Sequence, residues 1–145
     1  MARILKIPEA ASLAIHSMAM LAGNPGKLLT TREMAAELEA SCAHLAKVMH
    51  RLEASGLVSS SRGPKGGYFL RLPPESITLK TIYEAVEGPI APSRCLLETR
   101  ICGGEKCAFG RLLASLDGQL REHLEKTRLS ELATIKETAH AQENH

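Results

Sequence analysis

Cys95, Cys102 and Cys107 fall within the thirteen residues of a C-x6-C-x4-C spacing, inside RCLLETRICGGEKC at positions 94–107. Thiolates are soft donors, and three this close suit an iron–sulfur cluster first and zinc second. Gly103 and Gly104 let the backbone wrap a cluster, and Arg94, Arg100 and Lys106 offset thiolate charge. A disulfide would strand one thiol, and packed free thiols fit poorly in a polar, glycine-rich loop. A metal-free thiol switch stays open beside zinc as an alternative. Cys42 stands apart and reads as a small local packing residue.

A second chemistry is concentrated between residues 41 and 71. Lys47, Arg51, Arg62, Lys65 and Arg71 oppose a single acid, Glu53, a net of +4 where the whole chain carries +2. Cations so focused displace counterions from phosphates, and a helix in the major groove can read base edges. His44, Lys47 and Arg51 share one side of a helix, and the small Ala43 and Ala46 let its backbone come close to DNA. Arg62 and Lys65 lie on RGPKGG, a turn slim enough to approach a minor groove. Three basic residues alone could equally be a solvated face; the capped helix before them and the basic turn after them favour DNA. GPKGG lacks the Gly-Lys-Ser/Thr ending of a phosphate loop and precedes a strand.

The elements that must position these groups are mostly helices. In IPEAASLAIHSMAMLAG, Pro8 opens a helix and Gly23 closes it. One face carries Ala11, Ala14, Ile15, Met18, Leu21 and Ala22; a second carries Glu9, Leu13, His16 and Met20 and is expected to meet a partner. Thr30 and Glu33 have capping-box spacing before a helix burying Met34, Ala35 and Leu38. Ser41 caps the next helix, which buries Leu45, Val48, Met49 and Leu52 and ends at Gly56. LVSSS and YFLRL bracket the turn as a hairpin. TLKTIYEAVEG is a short helix. The segment at 108–127 places Leu113, Leu116, Leu120 and Leu124 on one seam, which a single helix cannot shield from water. The fold class is therefore mainly α with a small β wing. The expected organisation is a winged helix-turn-helix head at 1–88, a cluster-binding loop at 89–107, and a dimerisation helix with a polar, frayed tail at 108–145.

Length and composition narrow the function. The 145 residues, 44% hydrophobic and without Trp, suit packed aliphatic helices. No apolar run is long enough for a membrane span and the start does not read as a signal peptide, so a cytoplasmic address is expected. No constellation for a substrate pocket is visible, which argues against an enzyme. An electron carrier would leave the basic turn without a purpose.

SGLVSSSRGPKGGYFLRLPPESITLKTIYEAVEG, followed in order by the cysteine loop and the leucine helix, resembles the IscR/NsrR family of bacterial iron–sulfur transcription regulators over nearly the whole chain. The resemblance implies a homodimer bound to promoter DNA, with each long helix crossing to the other subunit near the cluster. It implies a 2Fe–2S or 4Fe–4S cluster whose presence, oxidation or damage by nitric oxide sets repression or activation. It also matches Arg62 to a wing arginine of the minor groove. Two positions depart from the family pattern. Gly110 stands where IscR-like members carry a histidine ligand, and Ser12 where NsrR-like members carry an acid. His16 matches the histidine of a redox-sensing subset. Ala108 and Phe109 have no donor, and His123 lies too far along the helix. The expected fourth ligand is thus His16 of the other subunit, with Glu9 as second choice.

Overall fold

The structure is a computed structural model that describes residue 3, residues 5–102 and residues 107–133. Helix α1 spans Glu9–Ala22 between Pro8 and Gly23. Ala11, Ala14, Met18 and Leu21 are buried, as their spacing predicts. Leu13 and Met20 are buried too, only 8% and 7% exposed. These two apolar members of the second face are therefore covered by their own chain, while Glu9 and His16 on that face stay exposed. Helix periodicity gives an angle around α1, whereas α1 is the central helix, packed by later elements on more than one side.

Helices α2 (Thr31–Glu37) and α3 (Cys42–Ala54) form the helix-turn-helix. Thr30 Oγ1 accepts from the Glu33 amide at 3.1 Å, and the Glu33 carboxylate accepts from the Thr30 amide at 2.7 Å. Such a cap stabilises by about 1 kcal/mol. The Thr30 amide, joined by the Thr30 hydroxyl donating to the same carboxylate oxygen at 3.1 Å, holds the Glu33 carboxyl below the usual carboxylate range. Ser41 Oγ accepts from the His44 amide at 3.3 Å and starts α3. Leu45, Val48, Met49 and Leu52 face the core as read from the sequence. Cys42 is corrected: it is exposed at the first turn of α3 and packs against nothing that buries it.

The wing pairs β1 (Val58–Ser61) antiparallel to β2 (Gly67–Leu70), in register from Val58 opposite Leu70 to Ser61 opposite Gly67. A bridge between Leu29 and Tyr68 ties it to the segment before α2, with Tyr68 N–H donating to Leu29 O at 2.8 Å. Gly67 makes this approach possible. Its φ is 152°, and a Cβ there would lie 2.9 Å from the Leu29 carbonyl carbon.

After a 3-10 turn at Pro74–Ser76 come α4 (Leu79–Glu87), the cysteine connection, α5 (Gly110–Lys126) and α6 (Leu129–Ala133). Sequence reading missed α6, which is short and follows α5 after the extended Thr127. Leu129 N–H donates to Ile77 O at 2.8 Å and Leu79 N–H to Thr127 O at 3.0 Å. Leu129 is fully buried and Leu124 is 5% exposed. Leu124 therefore leaves the proposed intersubunit seam: the head of its own chain already buries it. Leu113 is half-buried, while Leu116 and Leu120 are 38% and 48% exposed. Residues 134–145, including the tail read as frayed, lie outside the described residues. No helix among the described residues is long and apolar enough to cross a membrane.

Candidate nucleic-acid interface and cysteine loop

The core residues of α3 fix which of its side chains face outward. Lys47 and His50 are exposed, and so are Arg62 and Lys65 at the wing tip. Arg32, in the first turn of α2, is also exposed. Sequence reading did not single it out; its place at the start of the first helix of the pair is where that motif crosses a phosphate backbone.

Two of the basic residues assigned to DNA are engaged within the chain. His44 Nδ1 lies 3.8 Å from Glu9 Oε1, an ion pair only when the imidazole is protonated. Arg51 Nη1 donates to the Val86 carbonyl of α4 at 2.7 Å. A bond from a charged donor typically contributes about 1.5–3 kcal/mol. It also satisfies a carbonyl at the negative end of a helix.

Glu53 is more than a charge that dilutes the basic segment. Its Oε1 accepts from Ser60 Oγ at 2.7 Å and from the Ser60 amide at 3.1 Å, joining the last turn of α3 to β1. The Ser60 hydroxyl holds the Glu53 carboxyl below its usual range, assisted by the Ser60 amide, His50 and Arg62 and opposed by burial. The acid thus braces the wing that carries Arg62 and Lys65. Its partner lies seven residues away, outside any helical repeat, so no periodicity marks it.

The cysteine connection begins at Gly88, the cap of α4, where φ is 85°. Ile90 N–H donates to Glu84 Oε1 at 3.0 Å, pinning the exit. Cys95 and Cys107 are half-buried, Cys102 is exposed, and all three are free thiols. A methyl group on Gly110 would sit 3.5 Å from both Cys107 Cβ and the Arg94 carbonyl oxygen, and 4.0 Å from Cys107 Sγ. The first turn of α5 thus brings Cys107 beside the residue preceding Cys95. A side chain at position 110 would start beside the Cys107 thiol, and this chain has none there. Three soft donors on one loop fit a cluster in ligand type. Among the described residues, however, no three His, Cys, Asp or Glu side chains are close enough to hold a metal.

His16 and Glu9 lie on α1 along an open groove of about 790 Å³ that Arg3, Lys6, Ile7 and Ser12 also line. His16 Nδ1 is 2.6 Å from the Ser12 carbonyl oxygen. An Nδ1–H donating there leaves Nε2 with its lone pair toward solvent, the tautomer that metal-binding histidines commonly use.

Known proteins share this fold. The chain is 31% identical over 127 residues to a protein of Aquifex aeolicus described as an HTH-type transcriptional regulator, covering 86% of this chain and 88% of that one. It is 35% identical over 97 residues to the HTH-type transcriptional regulator IscR of Escherichia coli, covering 67% of this chain and 60% of IscR. The structure of CymR, the global cysteine regulator of B. subtilis, superposes with a TM-score of 0.74 at 29% identity, covering 91% of this chain and 98% of CymR. The relatives are transcriptional regulators rather than enzymes. The profile of Rrf2, described as an iron-dependent transcriptional regulator, matches residues 7–135, and the chain belongs to the Rrf2 family of winged-helix, DNA-binding transcriptional regulators.

Proposed function

We propose that the chain is a homodimeric regulator whose promoter binding is set by an iron–sulfur cluster on the cysteine connection. The observation that supports this most is the placement of three free thiols on one connection that starts at the cap of α4, a helix packed on both α3 and α5. The similarity to IscR and the family's description as iron-dependent support the same reading. Cys95, Cys102 and Cys107 would hold the cluster, and His16 of the second subunit, or else Glu9, would complete it. Bound there, a cluster supplies a centre that responds to oxidation, iron supply or nitric oxide. The chain's own part is to read DNA: Lys47 meets phosphates, Arg62 and Lys65 carry the wing into the minor groove, and His44 borders the helix face. Leu113, Leu116 and Leu120 form the seam between subunits, so two heads meet two half-sites.

The test is anaerobic reconstitution with iron and sulfide. The expected product is coloured, contains bound iron and sulfide, and loses both in Cys102→Ser. A colourless wild-type protein overturns the reading.

A thiol-sensing regulator is the second reading. It is favoured by the similarity to a global cysteine regulator and by the exposure of Cys102. A colourless protein whose DNA affinity still changes on thiol oxidation would support it.

A further inference from the structure

The reading helix and the last turn of α4, which leads into the cysteine connection, share a hydrogen bond. Helix α4 stops at Gly88, so the carbonyls of its last turn lose the amides that would continue the ladder. The amide of Ile90, four residues beyond Val86, bonds to the Glu84 carboxylate instead. That leaves the Val86 carbonyl to Arg51, which reaches it at 2.7 Å across 35 residues of sequence. A guanidinium suits this acceptor because the helix end carries partial negative charge. Val86 is buried, and its carbonyl belongs to the last turn of α4. Gly88, two residues on, opens the connection to Cys95. On the other side, Arg51 lies one turn after Lys47 on α3.

We infer that Arg51 is a positioning residue. Its bond to Val86 holds the reading helix against α4 and couples the state of the cysteine connection to the Lys47 face, so Arg51 is not a phosphate ligand. The coupling rests on the reading of that connection as the sensor. A loop that rearranges at Gly88 moves the Val86 carbonyl, and Arg51 carries the displacement to α3.

The test uses the full-length chain with Cys42→Ser, so that only the loop thiols react, and a duplex that the protein selects from random sequence. Affinity is measured across salt with those thiols free and then alkylated by iodoacetamide. Alkylation is expected to change the Kd by about tenfold, an ordinary size for coupled sites, and by about twofold or less in Arg51→Ala. The salt slope is expected to stay unchanged in Arg51→Ala, whereas Lys47→Ala lowers it by about 0.9, the loss of one phosphate contact. Amide exchange at Gly88 and Ile90 is expected to quicken in Arg51→Ala. Glu84→Ala, which leaves α3 intact, is expected to shrink the alkylation effect as well, and it carries the test if Arg51→Ala does not fold. A slope lowered by about 0.9 in Arg51→Ala would overturn the proposal. An alkylation effect kept at full size in both variants would overturn it too. A chain that retains Arg51 and Glu84 yet is blind to alkylation overturns the sensor reading and the coupling together, a pattern distinct from the failure of Arg51 alone.

Discussion

Ser17 is fully buried on α1, and its hydroxyl has no hydrogen-bond partner among the described residues. Desolvating a hydroxyl without a bond costs about 1–3 kcal/mol. Ser17→Ala removes the hydroxyl and leaves little space behind, so it is expected to raise stability by about 1 kcal/mol. A higher urea midpoint at unchanged m-value would show this. Glu53 gives a prediction in pH. Its folded carboxyl titrates lower than a free one, so its contribution to the wing is complete above the usual carboxylate range. That contribution is lost as pH falls through the lowered value. The protection factor of the Ser60 amide is therefore expected to fall on acidification in wild type and to be low already at neutral pH in Glu53→Ala. At the proposed cluster, His16→Ala is expected to change the absorption and Mössbauer spectra of the reconstituted protein, and Glu9→Ala to leave them unchanged. The opposite pattern would exchange their roles.

The two turns that end α2 and α3 share one hydrogen-bond pattern with different residues at its strained position. After α3, Gly56 takes φ 78°, with Leu57 N–H donating to Leu52 O and Gly56 N–H to Glu53 O. After α2, Glu39 takes φ 50°, with Ala40 N–H donating to Ala35 O and Glu39 N–H to Ala36 O. A side chain in this left-handed region costs roughly 1–2 kcal/mol. Glycine's greater freedom in the unfolded chain offsets part of any relief, by about 0.4–1 kcal/mol. Glu39→Gly is therefore expected to raise the thermal midpoint slightly and Gly56→Ala to lower it. Elements of this kind were legible because their signals are local: the Thr30–Glu33 box, Ser41 before α3, and the glycine-rich turn between strands. Contacts that depend on which elements meet were not. Leu13, Met20 and Leu124 show the right periodicity, but periodicity does not say whether the same chain or another covers them. The acceptor for Arg51 is a backbone carbonyl, which every residue carries, so no sequence pattern marks Val86. Glutamate carries no signal for positive φ, so nothing in the sequence marks Glu39.

At the scale of the molecule, the end of α5 and α6 belong to the head, while the middle of α5 does not. Leu112, Leu116 and Leu120 are 54%, 38% and 48% exposed, whereas Leu124 is 5% exposed. Removing Leu124 therefore tests the fold, and charging Leu116 or Leu120 tests assembly. Leu124→Ala is expected to destabilise the head by about 2–5 kcal/mol. Leu120→Asp is expected to leave the head folded and to shift sedimentation from dimer to monomer at micromolar concentration. A wild-type chain that sediments as a folded monomer would remove the two-headed arrangement. The central claim is that the state of the cysteine connection sets DNA affinity through a cluster. The measurement that tests it most directly is the Kd for a self-selected duplex, taken anaerobically with and without cluster, in wild type and in the Cys95→Ser, Cys102→Ser, Cys107→Ser variant. The expected result is about a tenfold difference between the two wild-type forms, an ordinary coupling between sites, and none in the triple variant. Equal affinities for the two wild-type forms, at every salt concentration, would contradict it.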